Sequence, residues 1–231
     1  MHVILCADEK YVSEARKCIK YLRITQKHVL IHLLGSDLSE DTISYLRRDD
    51  IDVVEFKKQD ILGKFWDPHF LKWFIPECFP NLDRAIYLDT DTIVLRRLTP
   101  LWDIDLKENY VAGVIRIGAR YAESLVEYEP HYHYLDYGLS PKTRMMNMGV
   151  MVMDLKKFRN SNVVSSMIDL TRESLECFTK DMTTKAALKK IQNEEFAFNL
   201  LMHDQWLELP EKWNVVPKST VRVPYIIHTW H

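Results

Sequence analysis

The chain has 231 residues, a mass of 27.4 kDa and 47% hydrophobic residues, enough for a globular protein with a sizeable core. Its 31 basic and 33 acidic residues give a net charge of −2, which excludes the strongly basic field of nucleic-acid-binding proteins. No stretch reaches the roughly 18 consecutive apolar residues of a membrane-spanning helix, and the apolar run after Met1 is too short for a signal peptide. We therefore expect a cytoplasmic protein with no nucleic-acid partner and no transmembrane segment, and peripheral association with a membrane stays open.

The first quarter of the chain alternates strand-like and helix-like patterns. Residues 2–6 form a short apolar run, apolar residues recur at helical spacing over Val12–Leu22, and Val29–Leu34 resembles a strand again. A second helix begins at Ser39, and Ile51–Phe56 alternates as a strand does. This repeated β-α unit predicts an α/β fold with a mostly parallel central sheet.

The later elements are less regular. The pattern predicts strands over 85–88, 111–115 and 149–153 and helices over 70–79, 163–175 and 194–202. The least patterned stretch, 117–145, is rich in Tyr and His, and we expect a loop over the active site there. Within it, His131 and His133 lack a third ligand at suitable spacing, so we interpret them as contacts for an acceptor rather than a metal pair.

The four cysteines are widely separated and show no C-x-x-C spacing. They are Cys6, Cys18, Cys78 and Cys177. Three of them lie within apolar patterns typical of buried thiols, so we predict structural thiols rather than disulfides or a zinc site.

Two carboxylates, Asp89 and Asp91, directly follow the predicted strand over Ala85–Leu88. Ligands of open α/β sheets collect at the carboxyl ends of strands, and buried carboxylates are costly unless they are paired or bind a metal. Hard oxygen ligands favour Mg²⁺ or Mn²⁺, which can neutralise the charge growing on a diphosphate leaving group. The pair therefore predicts a metal site for nucleotide-sugar cleavage, although two turn residues at a strand end would also give this pattern.

The segments Arg84–Val94 and Leu98–Asp103 resemble the central motif of glycosyltransferase family 8, which includes glycogenin and bacterial lipopolysaccharide galactosyltransferases and glucosyltransferases. The resemblance continues in order along nearly the whole chain. It implies a single GT-A type domain over 1–231, with an N-terminal nucleotide-binding β-α-β unit. The nucleotide-binding part would extend to about 115 and the sugar- and acceptor-binding part from about 116. The implied reaction transfers a hexose from a UDP-sugar to a glycan or glycoconjugate acceptor with retention of configuration.

The same resemblance implies a set of nucleotide contacts. Cys6–Tyr11 is similar to the loop that holds uracil and ribose, and Lys72 occupies a position where the family usually has Arg. A single ammonium lacks the planar fork of a guanidinium, so a bidentate contact there would be weaker. The implied nucleotide-binding residues are Ala7, Asp8, Lys10, Tyr11, Lys72 and Thr90.

A further segment resembles the part of the family that binds the donor sugar. Met146–Leu155 is similar to the N-x-G-V strand, in which Asn147 would bind sugar hydroxyls and Gly149 would let the sugar approach the backbone. A Met-rich core strand after a turn Asn is the alternative.

The predicted helix at 194–202 begins within a segment similar to the family's acidic D-Q segment. Glu194 and Glu195 replace the usual Asp and Gln there and are the predicted catalytic residues. Glu195 could serve as a nucleophile or as a base toward an acceptor. Acids at a helix start, where they favour the dipole, are the alternative.

The end of the chain resembles the start of the family's closing H-x-x-G-x-x-K-P-W segment. The resemblance implies that His228 completes the metal site of Asp89 and Asp91. The Gly and Lys of that segment are absent, so either the chain is part of a longer protein or the phosphate contact is supplied elsewhere.

Three other functions compete with this prediction. The segment Ile86–Thr92 also resembles the nucleophile motif of haloacid-dehalogenase-type phosphatases, with Asp89 as phosphoryl acceptor and Asp91 as acid. That motif normally follows the first strand of its domain, whereas 88 residues precede Asp89 here. A nucleotidylyltransferase would need a Gly-rich loop after the first strand, but no Gly precedes Gly35. A non-catalytic glycan-binding module is the remaining alternative.

Overall fold

The computed structural model describes residues 1–57, 68–116, 138–179, 194–217 and 219–229, with only the backbone considered at 174–179 and 196. The strands are β1 His2–Asp8, β2 Leu30–Ser36, β3 Asp52–Glu55, β4 Arg84–Leu88, β5 Thr92–Val94, β6 Val111–Ile115, β7 Met146–Asp154, β8 Trp206–Leu209 and β9 Ile226–His228. The α-helices are α1 Val12–Thr25, α2 Glu40–Arg48, α3 Ile75–Cys78, α4 Thr99–Trp102, α5 Leu155–Arg159, α6 Val163–Thr179 and α7 Glu194–Met202. Short 3₁₀-helices cover Glu9–Tyr11, Pro68–Phe74 and Glu211–Trp213.

Seven of these strands form one mixed sheet in the order β3-β2-β1-β4-β7-β6-β8. The pairs β3–β2, β2–β1, β1–β4 and β6–β8 are parallel, and β7 runs antiparallel to both β4 and β6. The predicted α/β class with a largely parallel sheet is therefore confirmed. Because β1 and β4 are parallel neighbours, the residues that follow each of them emerge at the same edge of the sheet.

The alternation of side chains along β1 divides the core between the two faces of the sheet. Val3 and Leu5 point to the face covered by α1 and α2, whereas Ile4 points to the face covered by the 3₁₀-helix at 68–74 and by α3, α5, α6 and α7. On α1 the buried residues recur at helical spacing, at Ala15, Cys18, Ile19 and Leu22, and the opposite side of the helix is exposed and basic.

Most predicted elements are confirmed, and the helix predicted over Phe70–Phe79 is the exception. A 3₁₀-helix over Pro68–Phe74 is followed there by the single turn of α3. Pro76 has no backbone N–H to donate to the carbonyl of Lys72, so a continuous α-helix is disfavoured. The short strands β5, β8 and β9 were not predicted. Of the predicted loop, 117–137, including His131 and His133, lies outside the described residues.

The described cysteine side chains are free thiols at Cys6, Cys18 and Cys78. Burial raises the pKa of Cys18 to about 12 and that of Cys78 to about 11. The side chain of Cys177 lies outside the described set. Among the helices described, none has the length and apolar content needed to cross a bilayer.

Candidate active site

The turn between β4 and β5 carries both predicted metal-binding aspartates. Asp89 follows the last residue of β4, and its carbonyl accepts hydrogen bonds from the backbone N–H and the hydroxyl of Thr92 at 3.2 and 2.7 Å. β5 then pairs antiparallel with β9 so that Thr92 lies opposite His228. This pairing brings together residues that are 137 to 139 positions apart in the sequence: ligand atoms of Asp89, Asp91 and His228 all lie within 4.8 Å of one another.

The imidazole of His228 is aimed at the two carboxylates. Its Nε2 lies 3.1 Å from Oδ1 of Asp91 and 3.6 Å from Oδ2 of Asp89, and the residue is only 4% exposed. Burial alone lowers the pKa of His228, but the hydrogen bond to Asp91 and the charge of Asp89 raise it above its ordinary value overall. Two carboxylates and one imidazole nitrogen at this spacing are a donor set that suits Mn²⁺ or Mg²⁺.

A chain of buried amides fixes which nitrogen of His228 faces the carboxylates. The backbone N–H of Gly149 donates to Oδ1 of Asn147 at 2.9 Å, which orients that amide. Asn214 donates to the same oxygen at 2.6 Å and thus presents its own Oδ1 to Nδ1 of His228 at 3.0 Å. Because an amide oxygen only accepts, Nδ1 carries a proton and Nε2 is the nitrogen left for a metal. Asn214, only 1% exposed, was missed in the sequence because it lies in no recognised motif.

Gly149 makes room for two of the candidate metal-binding side chains, Asp89 and His228. A Cβ at this position would lie 2.5 Å from Nδ1 of His228 and 3.0 Å from Oδ2 of Asp89. The sequence predicted that the missing side chain admits the sugar. The structure adds that it admits His228 and Asp89, and the carbonyl of Gly149 also accepts the backbone N–H of Asp89 at 2.8 Å.

Lys72 lies beneath the site as a buried ammonium. Its Nζ is 3.1 Å from Oδ1 of Asp89 and 3.0 Å from Oε1 of Glu194, and the residue is 3% exposed. Burial alone lowers the pKa of Lys72, but the two carboxylates raise it overall, so the side chain is charged. Burial alone likewise raises the pKa of Asp89, but Lys72 and His228 hold it below its ordinary value. The hydroxyl of Tyr87 also donates to Oδ1 of Asp89, so Oδ2 is the oxygen directed toward His228.

Glu195 is held beside Asn147 and Met148, at the start of β7. Its Oε2 lies 2.6 Å from Nη1 of Arg116, at the end of β6. Its Oε1 accepts the backbone N–H of Met148 at 3.2 Å and lies 3.5 Å from Nδ2 of Asn147. Both carboxylate oxygens are therefore engaged. Arg116 was missed in the sequence because it follows an apolar strand without a motif of its own.

The predicted nucleotide loop emerges at the same edge of the sheet. Ala7 is the buried penultimate residue of β1, and Asp8 caps the following 3₁₀-helix by accepting the backbone N–H of Tyr11 at 3.1 Å. Lys10 is exposed, with its Nζ 5.0 Å from the Tyr11 ring centroid. Thr90 is half-buried in the turn between the two aspartates. All these residues thus lie at the carboxyl ends of β1 and β4.

Comparison with known proteins places this arrangement in a class. The galactosyltransferase LgtC, solved with donor and acceptor sugar analogues, superposes with a TM-score of 0.75 over 99% of this chain and 86% of its own, at 20% identity. The glycosyltransferase GlyE from Streptococcus pneumoniae superposes with a TM-score of 0.68 over 98% of this chain and 53% of its own. The fold is therefore the GT-A type fold of these glycosyltransferases.

The sequence comparisons give the family. Residues 2–224 match the sequence profile of the family described as Glycosyl transferase family 8, and the chain belongs to that family. General stress protein A from Bacillus subtilis is 21% identical over 93% of this chain and 73% of its own length. GlyE is 25% identical over 92% of this chain, which spans 47% of GlyE.

We predict that Lys72→Met destabilises the fold more than a surface change does. Removing the buried ammonium leaves the half-buried carboxylates of Asp89 and Glu194 without their shared cation. Breaking a fully buried pair costs about 3–5 kcal/mol, and partial exposure of these carboxylates should bring the loss to the lower end of that range. Urea denaturation in EDTA measures the loss, and added Mn²⁺ should restore part of it by compensating Asp89. The exposed Lys156 on α5 supplies the control Lys156→Met, for which we expect a change within about 0.5 kcal/mol. A Lys72→Met protein as stable as the wild type would contradict the role given to this ion pair.

We predict that Gly149→Ala weakens metal binding about tenfold or more, because the new methyl group displaces His228 and Asp89. Gly113→Ala on β6 is the matched control, since its Cβ would lie 2.7 Å from Cγ of Met146, away from the metal-binding side chains. Both variants should lose roughly 1–3 kcal/mol of stability through overpacking. Titration with Mn²⁺ distinguishes the two variants, because only Gly149→Ala should lower the Mn²⁺ affinity. Equal Mn²⁺ affinity in the two variants would refute the steric role of Gly149.

Proposed function

We propose that this glycosyltransferase transfers a hexose from a UDP-sugar to a glycan or glycoconjugate acceptor, with retention and with Mn²⁺ or Mg²⁺ as its cofactor. The observation that carries the proposal is the convergence of Asp89, Asp91 and His228 at the carboxyl end of β4, where parallel strands direct ligands. When bound, the cation would stabilise the negative charge that develops on the diphosphate as the sugar leaves.

The residues around the metal-binding triad divide naturally between the two halves of such a donor. On the nucleotide side, the loop with Ala7, Asp8, Lys10 and Tyr11 follows β1, the parallel neighbour of β4. We propose that this loop binds the uridine, with Thr90 beside it in the aspartate turn. Lys72 would act here through Asp89 and Glu194, which its ammonium already contacts, and would add positive charge beneath the diphosphate.

On the sugar side, Asn147 and Gly149 begin β7 next to the triad, and Glu194 and Glu195 begin α7. We propose that Glu194, which shares Lys72 with the metal ligand Asp89, lies closest to the reacting bond. We infer that Glu195 is a positioning residue. A carboxylate with Arg116 on one oxygen and the Met148 N–H on the other has little capacity left to act as a nucleophile. It is arranged instead to hold the Asn147–Met148 backbone at the donor sugar.

The phosphatase alternative finds no support. In that reading Asp89 would be the phosphoryl acceptor, but one of its oxygens is engaged by Lys72 and Tyr87 and the other is directed toward His228. The chain also matches glycosyltransferase family 8 over nearly its whole length.

We predict that a panel of nucleotide-sugars with Mn²⁺ will show release of UDP from at least one UDP-hexose. Asp91→Asn should lower this turnover on the order of 100-fold or more because it removes a charged ligand. EDTA should abolish the activity, and Mn²⁺ should restore it. The exposed Asp41 in the first turn of α2 supplies the control Asp41→Asn, which should leave turnover unchanged. No UDP from any donor, or full turnover of Asp91→Asn in EDTA, would refute the proposal.

We predict that Glu195 and Arg116 act as one unit. Arg116→Gln leaves the half-buried carboxylate of Glu195 without its cation and should lower kcat roughly tenfold or more. Glu195→Gln keeps an oxygen for the Met148 N–H and should lower kcat less. In the double variant the uncompensated charge is absent, so kcat should recover relative to Arg116→Gln alone. If Glu195→Gln instead abolishes turnover in both backgrounds, the carboxylate is a catalytic group and the positioning role is wrong.

A further inference from the structure

The outer side of α1 and the turn after it carry a concentrated positive charge. Five cations are exposed there, namely Arg16, Lys17, Lys20, Arg23 and Lys27. Two exposed apolar side chains lie among them, Tyr21 at 37% and Ile24 at 69% exposure. We call these seven residues the basic face. Lys17, Lys20, Tyr21 and Ile24 follow the spacing i, i+3, i+4, i+7 and so form one stripe along the helix. The chain as a whole has a net charge of −2, so this charge is local.

Contacts with α2 hold part of the basic face in place. The guanidinium of Arg16 donates to the hydroxyl of Tyr45 at 2.6 Å and lies 4.4 Å from the centroid of its ring. Arg23 donates to the backbone carbonyl of Asp49, just after α2 ends. That end of α2 adds two exposed cations, Arg47 and Arg48. The positive charge is therefore built from two packed helices rather than from one mobile tail.

Acidic residues near the basic face are too few to cancel it. They are Glu14, 3.6 Å from Lys17, Asp49 and Asp50 in the turn after α2, and Glu55, 3.9 Å from Arg47. Seven cations against these four acids leave a positive excess of three on this surface. The other acids of α2, Glu40 and Asp41, lie in its first turn, at the opposite end of that helix from Arg47 and Arg48. A helix face with several Lys and Arg and with an exposed isoleucine and tyrosine between them has the composition of a helix that lies at a membrane interface.

We propose that the basic face docks the protein on a membrane surface that contains anionic lipids. Each Lys or Arg near such a surface is attracted by the lipid phosphates. Lysine stems can lie along the boundary while their ammonium groups reach the headgroups, and Ile24 and Tyr21 enter the interfacial layer. A nucleic acid would satisfy the cations but would give Ile24 no apolar environment, so the lipid surface is the partner that fits both features.

The orientation of α1 keeps the active site accessible in the docked state. The helix starts at Val12, directly after the nucleotide loop, and runs back toward the opposite edge of the sheet, where Leu30 pairs with His2. Ile24 and Lys27 are thus near the edge remote from Asp89. Docking through the basic face leaves the carboxyl ends of β1 and β4 uncovered, and it does not depend on which sugar or acceptor the enzyme uses.

Co-sedimentation with vesicles tests the proposal. The full chain should bind vesicles of phosphatidylcholine mixed with phosphatidylglycerol but not phosphatidylcholine alone, and high salt should weaken the binding. Lys20→Gln should lower the affinity roughly fivefold, and Lys20→Arg should retain it. Ile24→Ser should lower it roughly tenfold, because an interfacial apolar contact is lost. Turnover on soluble substrates should be unchanged in all three variants, since none of these residues belongs to the active site.

Lys156→Gln on α5 is the matched control. It removes an exposed helical lysine from the opposite face of the sheet and should leave vesicle binding unchanged. The proposal is overturned if anionic vesicles do not bind, or if Lys156→Gln weakens binding as much as Lys20→Gln. It is also overturned if Ile24→Ser has no effect while duplex DNA binds as tightly as the vesicles, since the basic face would then be a general polyanion surface.

Discussion

The carboxylate of Asp89 is the group on which the rest of the active site depends. It lies at the end of a strand whose four preceding residues are buried, so its charge must be balanced within the protein. One oxygen is held by Lys72 and Tyr87, and the other is directed toward His228. This division gives a single side chain two tasks: it anchors a buried ammonium, and it forms one side of the candidate metal site.

The charges around Asp89 explain why a divalent cation fits. Four carboxylates meet in the site, from Asp89, Asp91, Glu194 and Glu195, and two permanent cations, Lys72 and Arg116, oppose them. The remainder is two negative charges when His228 is neutral. The hydrogen bond to Asp91 and the charge of Asp89 raise the pKa of His228, so without a cation the carboxylates favour a proton on Nε2. A divalent ion would replace the proton and use the same nitrogen, because the amides of Asn147 and Asn214 already fix the imidazole.

The sequence predicted the elements with strong local patterns and the residues with recognisable motifs. The spacing of apolar residues was enough to predict α1 and β1. The position of Asp89 and Asp91 after an apolar strand was enough to predict that they lie at a sheet edge. The contribution of His228 depends on β9, a strand of three residues whose pairing with β5 no local pattern reveals. The prediction of one helix over 70–79 was wrong because it relied on the apolar spacing and gave too little weight to Pro76. That proline removes a backbone hydrogen bond that a continuous helix requires.

The least predictable features are the paired departures from the family pattern. The sequence shows Lys72 in place of a usual Arg and Glu195 in place of a usual Gln, and each looks like a loss when considered singly. In the structure the smaller ammonium of Lys72 fits between two carboxylates in a buried site, where a compact point charge is sufficient. The extra charge of Glu195 meets Arg116, a residue 79 positions earlier in the chain. Because each unusual charge has its counter-charge within hydrogen-bonding distance, the site keeps its electrostatic balance while its side chains differ. Such balance is a property of the three-dimensional neighbourhood, and a one-dimensional motif does not contain it.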